Sequence, residues 1–124
     1  MLKGMESKYY KHIKAEESWK AANFMIEGKY YRQAAVLFWV SIRDYIFEWL
    51  ELKSIAFSST REAIVAILSN EDFSVHGKDI MFIYSIATMA EWDEYFNLSI
   101  KELNELKKIC KVLKEKFIEF VDPK

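Results

Sequence analysis

Residues 30–54 read YYRQAAVLFWVSIRDYIFEWLELKS, and the fold turns on this stretch. Ala34, Ala35, Phe38, Trp39, Ile42, Tyr45, Ile46, Trp49 and Leu50 recur at helical steps, the period of a helix packed against neighbours. The only continuous polar stripe is narrow: Gln33, Ser41, Asp44, Glu48 and Glu51, with Leu37 interrupting it. A helix this apolar must be covered over most of its circumference.

Working outward, the same period predicts a preceding helix over about 7–27, closed by Gly28, where a glycine just past the last periodic residue ends a helix. Downstream, a short helix is expected over 60–69, then a loop over 71–78, EDFSVHGK, and a nearly all-apolar helix over 79–97. Ser59-x-x-Glu62 and Ser99-x-x-Glu102 have capping-box spacing and mark two helix starts. The last helix runs to about Val121, before Pro123. Leu103, Leu106, Cys110, Leu113, Phe117 and Phe120 form its seam at alternating steps of three and four. Four long helices, one short one and brief loops predict an all-α fold, an antiparallel up-down four-helix bundle with one extra short helix. The chain is read as one domain over 1–124.

Composition agrees. A chain of 124 residues and 14.8 kDa folds to about 7,000 Å² of surface from about 21,000 Å² unfolded, enough burial for a core without metal or disulfide. Three glycines and one proline leave too little turn chemistry for a sandwich or barrel. A net charge of −1 argues against a dedicated nucleic-acid cage. One cysteine excludes an intramolecular bridge and a thiolate zinc site, and fits a reduced, cytoplasmic setting. The start of the chain lacks the apolar segment of a secretory signal, and charges break every apolar run, so no membrane span is expected. Charge is unevenly distributed: residues 71–98 sum to −5, while residues 1–29 and 99–121 each sum to +2. The apolar excess in the helices over 30–54 and 79–97 predicts a buried partner face, most simply a second copy of the chain.

Candidates for chemistry are few. Arg43 and Asp44 interrupt the apolar helix at mid-length, where an unpaired buried charge would cost several kcal/mol. An ion pair across the bundle or a subunit interface is the expectation, with an anion contact as the functional alternative. His76, in the loop before the fourth helix, is the better acid–base candidate of two histidines; His12 sits among lysines. Lys107, Lys108, Lys111 and Lys114 form a basic stripe able to follow an RNA backbone, diluted by Glu105, Glu115 and Glu119. Glu91, Asp93 and Glu94 gather carboxylates, but no Glu-x-x-His exists for a di-iron site. Cys110 falls on the seam, where a free cysteine behaves as a small apolar residue. No metal or cofactor is called for.

Residues 15–53, AEESWKAANFMIEGKYYRQAAVLFWVSIRDYIFEWLELK, resemble the first helical hairpin of HEPN (higher eukaryotes and prokaryotes nucleotide-binding) domains. Ala22, Met25, Gly28, Tyr30 or Tyr31, Ala34, Ala35 and Phe38 stand at the matching places. The glycine allows a tight turn, a tyrosine packs over it, and small alanines let the helices approach. Residues 90–113, AEWDEYFNLSIKELNELKKICKVL, look like the tail of archaeal PaREP-type members. The resemblance implies a homodimer built on helix faces, often partnered by a nucleotidyltransferase in a toxin–antitoxin pair. Many HEPN proteins are metal-independent ribonucleases whose signature is Arg, four to six residues, then His. Arg32, Arg43 and Arg61 are followed by no histidine at that spacing. The expectation is therefore a non-catalytic, dimeric domain that binds protein, nucleotide or RNA. The alternatives are a ribonuclease with a non-standard dimer-cleft site around Arg43 and His76, and a purely structural bundle.

Overall fold

A computed structural model describes the backbone of residues 2–121 and the side chains of residues 13–119. Its elements are α1 (Leu2–Glu27), α2 (Tyr31–Leu52), α3 (Thr60–Leu68), α4 (Gly77–Trp92) and α5 (Ile100–Val121), with one 3-10 turn, Ser74–His76, ahead of α4. No strand occurs among the described residues. The side chains of His12 and Phe120 lie outside those described.

α2 is the hub. α1, α4 and α5 each pack mainly on α2, while α4 and α5 barely touch one another. Ala22 of α1 meets the hub where Ala34 and Ala35 are fully buried, and the α1–α2 pair is the most extensive in the molecule. Small side chains at a crossing let helix axes come close.

The polar stripe on α2 faces water only at its ends, where Gln33 and Glu51 are exposed. Ser41, Asp44 and Glu48 are all buried, and Ser41 Oγ donates to Ala15 O of α1 at 2.8 Å. The half-buried side of α2 is instead an apolar one beside it: Val36, Val40 and Phe47, with Arg43 among them. The bond to Ala15 O satisfies the Ser41 hydroxyl, as a buried polar group requires.

Both ends of the α1–α2 hairpin close without a glycine in the left-handed region. After α1, Lys29 takes φ 64°, with Tyr30 N donating to Met25 O and Lys29 N to Ile26 O. After α2, Ser54 takes φ 57°, with Ile55 N donating to Leu50 O and Ser54 N to Glu51 O. Each is a Schellman motif. Gly28 serves differently: the Tyr30 ring lies over it, and a Cβ there would fall 2.8 Å from that exposed ring, which would have to swing aside.

Two elements differ from the expectation. α4 ends at Trp92 instead of continuing to Asn97, because Asp93 turns extended and accepts Tyr95 N–H at its side chain; such local bonds compete with the helix. The stretch over 71–78 is not a simple loop. Asn70 accepts from Asp72, Phe73 and Ser74 N–H, which drives Phe73 into the core. There Phe73 stacks on Phe117 at 4.4 Å and meets Trp49 edge-on at 5.1 Å. The α5 seam residues Leu103, Leu106, Cys110, Leu113 and Phe117 are buried as expected. Burial pushes the Cys110 thiol well above its ordinary range, so it stays protonated and apolar in behaviour.

Candidate functional site

The outward stripe of α2 leads to a broad concavity with polar groups in its wall. At its N-terminal end, Val36, Leu37 and Gln33 floor a space of about 530 Å³ walled by Met25 of α1 and by Ala90 and Glu91 of α4. Arg32 closes this end. Its Nε donates to Ala90 O at 2.9 Å, Nη2 to Asp93 O at 2.7 Å and Nη1 to Glu94 O at 3.2 Å. These are carbonyls at and beyond the C-terminus of α4, where no intrahelical donor is left and a cation is favoured. Arg32 thus fastens α4 to the start of α2. Its role is absent from sequence patterning because its partners are backbone carbonyls some sixty residues away.

Further along the stripe, Arg43 reaches its sequence neighbour Asp44 at 3.8 Å and lies 5.8 Å from the Phe47 ring centroid. Among the described residues, the ion pair of Arg43 is with this sequence neighbour. Arg43 Nε is buried without a hydrogen-bond acceptor among the described residues. His76 is placed elsewhere, with its ring 6.5 Å from that of Phe73. The structure therefore groups Arg43 with Asp44 and sets His76 against the aromatic core.

On the opposite flank, α1, α2 and α5 meet in a polar knot. Tyr45 donates its phenol hydrogen to Glu16 Oε1 at 2.6 Å, and Lys114 Nζ donates to Glu16 Oε2 at 3.0 Å. Lys114 also lies 4.5 Å from the Trp19 ring centroid, a cation–π distance. Burial first, then the bond to Glu16 and the charges of Glu16 and Glu48, push the Tyr45 phenol far above its ordinary value. Lys114 is thereby withdrawn from the basic stripe. Lys108 and Lys111 remain exposed and Lys107 is half-buried.

Neither capping box is idle. Ser99 and Glu102 bond reciprocally through backbone N–H and side chains. At α3, Glu62 N donates to Ser59 Oγ, but the Glu62 carboxylate accepts from Ser58, one residue earlier than the spacing implies. Among the described residues, no three His, Cys, Asp or Glu side chains are grouped to hold a metal, and no helix is long and apolar enough to cross a membrane. Comparison with models of known protein families and with curated proteins found no match.

Proposed function

We propose that this chain is a non-catalytic, HEPN-like binding domain, an antiparallel up-down four-helix bundle with one extra short helix, that self-associates through the outward stripe of α2. One observation carries the reading: Val36, Val40, Arg43 and Phe47 lie along one side of α2 and are only partly covered within the single chain, while Ser41, Asp44 and Glu48 on its polar side are buried.

The close α1–α2 hairpin, with Tyr30 over Gly28 and buried alanines at the crossing, supports the family reading. Partnership with a nucleotidyltransferase in a toxin–antitoxin pair follows from that reading. Nucleotide or RNA contact would fall to Lys107, Lys108 and Lys111. Sedimentation at micromolar concentration is expected to give a dimer that Val40→Glu converts to a monomer. A monomeric wild-type chain overturns the self-association. Cleavage of RNA in EDTA that disappears in both Arg43→Ala and His76→Ala would overturn the non-catalytic reading and establish the dimer-cleft ribonuclease instead.

A further inference from the structure

Away from the stripe, four aromatic side chains stand in water at one end of the molecule. Trp92 is 78 % exposed and Tyr95 83 %; Phe24 and Tyr30, at the α1–α2 turn, are 71 % and 59 % exposed. The two segments share that end, because Arg32, two residues beyond Tyr30, bonds the carbonyls of Ala90, Asp93 and Glu94. Tryptophan and tyrosine are the side chains on which interfaces most often depend, and here they crown a turn instead of a core.

That turn is held before any partner arrives. The Arg32 guanidinium fixes three carbonyls, and Asp93 Oδ1 accepts Tyr95 N–H at 3.0 Å. A preformed surface loses little conformational freedom on binding. The turn's own side chains are acidic: Glu91, Asp93 and Glu94 are exposed and interleave with the aromatics in the order Glu-Trp-Asp-Glu-Tyr. Residues 88–98 contain no lysine or arginine, and the Arg32 guanidinium is taken up by the turn's carbonyls, although Lys29 stands exposed beside Tyr30.

We propose that the Trp92–Tyr95 turn is a docking surface for an arginine- or lysine-rich segment of a partner protein. Guanidinium or ammonium groups would stack on the Trp92 and Tyr95 faces, where a cation is attracted by the ring quadrupole. The three carboxylates would pair with the flanking cations and draw the segment in. The same carboxylates repel phosphate, which disfavours nucleic acid and anionic lipid at this end. This inference rests on the reading of the chain as a binding module and adds the partner. It uses a surface separate from the α2 stripe.

The test titrates the full chain with a short synthetic polyarginine peptide, followed by calorimetry and tryptophan emission, with polyglutamate of equal length as the reverse probe. Saturable binding of polyarginine alone is expected. Trp92→Ala with Tyr95→Ala should weaken it by about tenfold, the loss expected of one or two cation–π contacts. Asp93→Asn with Glu94→Gln should weaken it and flatten its salt dependence. Glu115→Gln with Glu119→Gln removes equal charge from exposed sites on α5 and should leave it intact. No binding, equal weakening by the α5 pair, or insensitivity to the aromatic pair each overturns the proposal. So does a dimer that the aromatic pair converts to a monomer, since the occupant is then a second copy. Peptide binding retained by a chain that sediments as a monomer would sink the α2-stripe reading alone.

Discussion

Tyr45 joins the buried hub to a charged group: its ring is fully covered while its hydroxyl donates to Glu16 at 2.6 Å. Removing that hydroxyl in Tyr45→Phe costs one hydrogen bond to a carboxylate that keeps Lys114, so a loss of about 1–2 kcal/mol is expected by urea titration. The pH dependence has a definite sign. The folded phenol ionises far above 10.0, so the neutral form is favoured in the folded state. Its stabilisation is complete below pH 10 and declines above it, as the unfolded chain releases the proton that the folded chain retains. Wild type should therefore lose stability more steeply above pH 10 than Tyr45→Phe, and parallel slopes would refute the linkage. Tyr45 itself was legible as a core aromatic from its helical spacing. Its partner was not, since nothing in periodicity links a tyrosine to a glutamate 29 residues earlier. Lys29 and Ser54 were illegible for a related reason. Left-handed backbone is read from glycine, and here the backbone hydrogen bonds of the Schellman turns hold it in residues that disfavour it.

Between elements, α4 is placed by a side chain outside it. Arg32 satisfies the carbonyls of Ala90, Asp93 and Glu94, and α4 has almost no help from α5. Arg32→Met keeps the apolar stem and deletes the donors. It should cost about 1–2 kcal/mol, with amide exchange accelerating over 88–96 and little change in α1 or α3. Uniform acceleration across the chain would show that Arg32 does not act locally. Element existence was readable throughout because apolar spacing is a local signal. The end of α4 was not, because it is set by the Asp93 turn and by a distant arginine. Phe73 was hidden in the same way: a polar context, EDFSVHGK, read as loop, while Asn70 folds that loop to bury the ring. The polar stripe of α2 shows the converse: its residue types suggest a wet face, yet Ser41, Asp44 and Glu48 are buried, and Ala15 O of α1 accepts the Ser41 hydroxyl.

At the scale of the molecule, α2 decides what surface remains. With α1, α4 and α5 each packed on it, the core is complete on the polar side of α2, and its apolar outward stripe is left half-buried. If a second copy covers the stripe, unfolding is linked to dissociation and stability depends on concentration. Each tenfold rise above the dissociation constant then adds about 1.4 kcal/mol to the dimer, or about 0.7 kcal/mol per chain, moving Tm up by about 3 °C. Val40→Glu places a carboxylate in the middle of that stripe. It should abolish the concentration dependence while leaving the dilute-solution Tm nearly unchanged, because Val40 is only half-buried in the single chain. Scanning calorimetry across a hundredfold concentration range separates the cases. A wild-type Tm that does not move would mean the stripe stays open in solution, and a Val40→Glu chain that still shifts with concentration would move the interface to another face.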